Sequence, residues 1–263
     1  PPLSDDLVTY EDGTPATAEE VLGIVSLIFW ALMIVVTLKY IVIVMQMDNK
    51  GEGGTLSLMA LAQRALGKRT PLLFLIGVAG ASMFYGDALI TPAISVMSAV
   101  EGLKAVPGLE GPIDPFILPI AVGILVGLFA VQSRGTGVMG RFFGPITAVW
   151  FITMGVLGAL QVMSNPGVLQ ALLPSHAIGF MIEHRFLTFI VLGSVFLAVT
   201  GAEALYADMG HFGRAPIRVA WIGILACLTL SYLGQGALVI GDLEALNAEY
   251  QLASDAARAV GAE

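Results

Sequence analysis

The sequence predicts an all-α polytopic membrane protein, and three observations carry that prediction. Apolar residue types fill 57% of the 263 positions and the mean hydropathy is +0.86. Charged residues make up only 12%, about half the share of an ordinary soluble domain. The apolar residues gather into six runs of about 20 residues, long enough for a helix to cross the hydrocarbon core of a bilayer.

The first run, Val21–Met45, follows the acidic stretch "PPLSDDLVTYEDGTPATAEE", which holds no basic residue. Its length and acidic flank exclude a secretory signal peptide, whose apolar core is about 7–15 residues behind a basic segment. The second run is Leu72–Val100, the third Ile113–Gln132 and the fourth Val138–Met163. "GVAGAS" in the second and "GVLGAL" in the fourth supply small residues, which let helices approach closely in lipid. The fifth run is Phe186–Tyr206 and the sixth Ile217–Ile240. A single cysteine, Cys227, lies in the sixth; it allows no internal disulfide or cysteine zinc site and reads as a small core residue.

Three divisions follow: an extracytoplasmic segment 1–20, a transmembrane domain 21–241, and a polar Ala-rich tail 242–263 that looks helical. Between the runs, "DNKGEGGT" is Gly-rich but lacks the Gly-Lys-Ser/Thr ending of a phosphate loop, and reads as a flexible connection. "MGHFGRAPIR" reads as a short basic loop in which Gly210 and Gly213 could act as a hinge. His176, His184 and His211 fall in predicted loops without ligand spacing, which argues against a metal site. No feature points to nucleic acid, and the net charge of −8 rests on acids in the N-terminal segment, loops and tail.

Orientation follows from Lys and Arg, which collect in short cytoplasmic connections. The connections after the first, third and fifth runs, with their helix ends, hold Lys50, Arg64, Lys68, Arg69, Arg134, Arg141, Arg214 and Arg218; the opposite side holds Lys104, Arg185 and Arg258. This bias places both termini outside. An exported N-terminus without a signal sequence is awkward, and a preceding span from the cytoplasm to the outside would resolve it.

Acids inside a membrane are expensive, by about 2.5–3.5 kcal/mol on insertion scales, and usually face a cavity, a partner or an ion path. In "ASMFYGDALITPAIS", Asp87, Thr91 and Ser95 recur at four-residue spacing and share one helical face. Pro92 offers no amide to the Ala88 carbonyl. Together these form a hard-oxygen surface suited to a desolvated alkali cation. The structural alternative has the hydroxyls bonded back to their own helix and Asp87 capping a break. In "AVTGAEALYADMGHFGR", Gly201 lies between Thr200 and Glu203, where a discontinuous transporter helix could unwind and offer carbonyls. Glu203, if desolvated, suits a proton carrier; alternatively it snorkels or pairs with Arg214 or Arg218. Glu101, at the end of the second run, reads on position alone as a solvated interface acid. Lys39 reads as a snorkelling or acid-paired cation.

Several stretches together resemble one family, the Kup/HAK/KT potassium uptake permeases. They are "EVLGIVSLIFWALMIVVTLKYIVIVMQMDNKGEGG", "LMALAQRALG", "FYGDALITPAISVMSAVEGL", "VQSRGTGVMGRFFGPITAVWF" and "FLAVTGAEALYADMGHFGRAPIRVAW", spread from Glu20 to Trp221 in the family's order. The resemblance implies a LeuT-like inverted-repeat fold that imports K⁺ coupled to H⁺ across the cell membrane, with no cofactor. The six runs then correspond to the family's second to seventh helices, and its broken first helix would precede Pro1.

By motif, Thr91, Ser95 and Thr200 resemble cation ligands, so that K⁺ is the implied metal, and Glu203 resembles an acidic neighbour suited to proton coupling. Glu101, in "SAVEGL", matches an acid important in the family; Asp87 either touches the ion or holds the helix. Beyond K⁺, H⁺ and the lipid bilayer as partners, a homodimer stays open. The rival readings are a relative carrying another cation or an amino acid, and a truncated, non-transporting membrane fragment. An enzyme is disfavoured, because the runs hold no nucleophile–base pair or metal-ligand cluster.

Overall fold

The computed structural model describes residues 17–67, 70–106, 108, 111–132 and 136–260. The acidic segment up to residue 16, and Lys68, Arg69 and Arg134, lie outside these described residues. Within them the chain is helical, with one isolated bridge between Asn49 and Glu52. Six stretches are long and apolar enough to cross a membrane: Ala18–Gln46, Pro71–Lys104, Asp114–Val131, Phe143–Ser164, Arg185–Ala207 and Arg214–Leu243. Each coincides with one expected run, shifted by a few residues at the ends.

The first span begins at α1, Ala18–Ala31, where Thr17 forms a capping box. The Thr17 hydroxyl accepts the Glu20 amide at 3.3 Å, and the Glu20 carboxylate accepts the Thr17 amide at 2.7 Å; two amides of the exposed first turn are thereby satisfied. Beyond α1 the span widens into a π-helix over Leu32–Ile43 and closes in a 3-10 turn, Val44–Gln46. In a π turn the carbonyl five residues back is the aligned acceptor, and Thr37 donates its hydroxyl to Leu32 O at 3.1 Å. Lys39 lies 4.7 Å over the Tyr40 ring, a cation–π contact rather than an acid pair.

The connection expected to be flexible is a closed turn. Asn49 and Glu52 exchange both amide–carbonyl bonds, at 2.9 and 3.1 Å, and Asp48 accepts the Gly51 amide at 2.8 Å. Lys50 and Gly51 take φ of 57° and 90°. It leads to α2, Thr55–Ala65, and then α3, Pro71–Glu101, which has proline at the start, where no helical amide partner exists to lose. α4 is Asp114–Gln132 and α5 is Thr136–Ser164. A 3-10 turn, Pro166–Leu172, precedes α6, Pro174–Glu183, and α7, Arg185–Ala198. The short α8, Ala202–Ala207, and α9, Met209–Phe212, lead to α10, Arg214–Val260, which carries the sixth span and continues into the tail as far as Val260. His176 and His211 thus sit on short helices rather than in loops.

The chain divides into two compact units. One comprises residues 1–47 and 150–263. Here α1 is the central element: Val25 packs with Val162, Val168, Leu233, Ala237 and Ile240, while Leu27 packs with Ala177, Phe180 and Val195. Ser26 is fully buried and donates to Leu173 O at 3.0 Å. The small residues of "GVLGAL" have the packing role expected of them. A Cβ on Gly158 would strike the Leu230 carbonyl, and one on Gly234 would strike the Gly158 backbone. Gly155 lies against Cys227.

In the other unit, residues 48–149, α2 packs on the "GVAGAS" face of α3. Met59 covers Gly77 and Thr55 approaches Gly80. Val100 packs against Ile117 and Ala121, and Lys104 pairs with Asp114 at 2.7 Å. Many large apolar side chains point outward, among them Leu72, Met83 and Leu89 on α3 and Phe186 and Phe189 on α7, as expected of helices that meet lipid.

The first unit also supports the alternation of crossings. His184 Nε2 lies 3.3 Å from Glu20 Oε1, joining the start of the fifth span to the start of the first. At the other ends, Tyr206 donates its hydroxyl to the Met47 carbonyl. The first and fifth spans therefore run parallel, as two spans with three crossings between them must.

Candidate functional site

The unit of residues 48–149 holds the Asp87 group. Thr91 donates its hydroxyl to Asp87 Oδ1 at 2.7 Å. Both residues are half-buried, whereas Ser95 and Glu101 are exposed. α3 runs unbroken through all four positions and through Pro92, so Asp87 does not cap a helix break. The hydroxyl hydrogen of Thr91 goes to a carboxylate instead of its own backbone, and its lone pairs stay available to an electrophile such as a cation. Glu101 ends α3, three residues before the Lys104–Asp114 pair.

The other unit holds Thr200 and Glu203, and here the backbone is interrupted where Gly201 stands. α7 stops at Ala198, Gly201 takes φ 90° and ψ −5°, and α8 restarts at Ala202. A left-handed backbone of this kind strongly favours glycine. Among the described residues, no hydrogen bond reaches the carbonyls of Ala198, Val199 or Thr200. Thr200 is exposed and donates its hydroxyl to Phe196 O at 3.0 Å, again directing its lone pairs away from the donated hydrogen. Glu203 is half-buried in the first turn of α8 and forms no ion pair among the described residues.

A cavity of about 200 Å³ adjoins this interruption, lined by residues 198–202 together with Leu205, Leu32, Val36 and Trp221. Trp221 Nε1 donates to Thr37 Oγ1 at 3.0 Å. Sequence reading passed over Thr37, Trp221 and Tyr206. A polar atom inside an apolar run was the available signal for each, since in lipid every such atom needs a partner. The predicted donors fall into two groups, Asp87/Thr91/Ser95 in one unit and Thr200/Glu203 in the other. Three His, Cys, Asp or Glu side chains do not converge anywhere among the described residues. The chemistry on offer is that of hydroxyl, carbonyl and carboxylate oxygens, which suit hard cations.

Six apolar spans, one of them interrupted, define a multi-pass all-helical membrane protein. The chain belongs to the K+ potassium transporter integral membrane domain family, whose model matches residues 5–260. It is 57% identical over 234 residues to the "Probable potassium transport system protein Kup" of Caulobacter vibrioides strain NA1000 / CB15N, covering 88% of this chain and 35% of that protein. It is 54% identical over 247 residues to "Probable potassium transport system protein Kup 3" of Rhodopseudomonas palustris, covering 93% and 37%. With the protein of the same Kup name in Thiobacillus denitrificans it shares 56% identity over 245 residues, covering 91% and 39%. The chain thus spans well under half the length of these relatives. No solved structure matches it.

Proposed function

We propose that this chain is the part of a secondary transporter that carries K⁺ into the cell together with protons. The observation that supports this most is the interrupted fifth span, where Thr200 and carbonyls without a hydrogen bond among the described residues adjoin a cavity, with Glu203 in the next turn. Interrupted helices of this kind let backbone oxygens replace the water shell of an ion. The potassium transport named for the relatives sets the choice of ion.

In this reading the oxygens of Thr91 and Ser95, with Asp87 beside them, and of Thr200 contact K⁺ during its passage. Glu203 changes protonation during the cycle, with Glu101 as a second proton-linked acid. The fold is of the LeuT type, working by alternating access. Residues 1–20 lie outside, 21–241 form the membrane domain, and 242–263 form a polar tail.

The test is K⁺ uptake by cells lacking their own K⁺ import, with the protein expressed from its full reading frame. Thr91→Ala and Thr200→Ala should each raise the K⁺ concentration for half-maximal uptake; unchanged values would remove these residues from coordination. Glu203→Gln should uncouple uptake from the proton gradient, and normal proton-linked uptake would refute its role. Competition by Na⁺ or amino acids stronger than by Rb⁺ would overturn the choice of K⁺.

A further inference from the structure

The Trp221–Thr37–Leu32 hydrogen-bond chain is not among the proposed ion donors, yet its Trp221 and Leu32 line the cavity beside Thr200. Trp221 is only 7% exposed, and an indole N–H buried inside a span is costly to leave without an acceptor. It finds Thr37 Oγ1 at 3.0 Å, which in turn donates to Leu32 O at 3.1 Å. The Thr37 hydroxyl therefore accepts from the sixth span and donates within the first. Leu32 is the first residue of the π segment, so the chain ends where the helix changes pitch. Leu32, Val36 and Trp221 line one side of the cavity whose other side is the Ala198–Ala202 interruption. With no hydrogen bonds among the described residues to its Ala198, Val199 and Thr200 carbonyls, the interruption takes its position from what it packs against.

From this arrangement we propose that Thr37 and Trp221 are positioning residues for transport: their hydrogen bond fixes the wall that holds the Thr200–Gly201 interruption in register. The inference rests on the transport reading for its kinetic consequence, but its structural consequence stands apart. Losing one such bond is worth about a 2- to 10-fold change in an equilibrium. Thr37→Val, which keeps the shape and removes the hydroxyl, should raise the K⁺ concentration for half-maximal uptake by about 2- to 10-fold, with surface expression unchanged. Thr37→Ser should restore it, and Trp221→Phe should match Thr37→Val, the double variant adding little to either.

The second measurement is amide hydrogen exchange on the purified protein expressed from its full reading frame. Peptides covering 198–205 should exchange faster in Thr37→Val and Trp221→Phe, while a peptide within 233–240 of α10 should be unchanged. Unaltered exchange at 198–205 in Thr37→Val would overturn the inference whatever the transport result, and so would a Thr37→Ser variant that behaves like Thr37→Val. Altered exchange together with K⁺-independent uptake by the unsubstituted protein would leave the positioning role standing and overturn the potassium reading instead.

Discussion

Replacing Gly201 by alanine separates backbone geometry from packing. Neither Gly201 nor Gly193, eight residues earlier in α7, has an atom within 4 Å of the position a Cβ would occupy. Contact with neighbours therefore drops out at both sites, and only the backbone remains. At Gly193 the chain is helical, and Gly→Ala in a helix interior stabilises by about 0.5–1 kcal/mol. At Gly201 φ is +90°, and an L-residue held in the left-handed region costs about 1–2 kcal/mol. One substitution made twice along one span should thus have opposite signs, the two variants differing by about 1.5–3 kcal/mol. Thermal unfolding of the detergent-purified protein, made from its full reading frame, reads the difference directly. Gly193→Ala should melt at or above the unsubstituted protein, and Gly201→Ala below it. Gly201→Ala should also lower uptake per surface-expressed molecule. Equal shifts in both variants, or a stabilised Gly201→Ala, would refute the claim that the fifth span is interrupted at that residue.

The glycine crossing of α5 and α10 gives a second contrast: Gly158→Ala drives a methyl into the Leu230 carbonyl and should cost about 1–3 kcal/mol. Gly223→Ala, inside α10 with open space around it, should stabilise by about 0.5–1 kcal/mol in the same melt, as at Gly193. Ser26→Ala removes the fully buried hydroxyl that serves Leu173 O and should destabilise by about 1 kcal/mol; a neutral result would remove that bond from the core. Thr17→Ala breaks the capping box and should cost about 0.5–2 kcal/mol, with faster amide exchange confined to the first turn of α1.

Hydropathy alone located all six spans, because about 20 consecutive apolar residues have few other stable fates. The interruption at Gly201 was legible for a related reason: a glycine between Thr200 and Glu203 inside an apolar run contributes little packing, and a positive φ is what it does best. The π segment was not legible. "LMIVVTLKYIVI" carries no mark of its wider pitch, since shifting each hydrogen bond by one residue leaves apolar content unchanged. The Trp221–Thr37 bond joins residues 184 positions apart, and periodicity within a span carries no information about a partner on another span. Pro92 was expected to free the Ala88 carbonyl, and α3 nonetheless continues through it to Glu101. Its flanking turns retain enough hydrogen bonds to hold a 31-residue helix together.

The fifth span is held to the first at both extremities, through His184 and Glu20 at one and Tyr206 and Met47 at the other. Mechanically it is a column pinned at each end with a break about two thirds of the way along. Such a column has no axial stroke to offer; under load it bows sideways. Thr200, at the break, would sweep an arc parallel to the membrane plane while its two anchors stay at their original depths. Any cation that Thr200 releases would then leave by a sideways swing of its donor, with no part of the span pistoning through the bilayer.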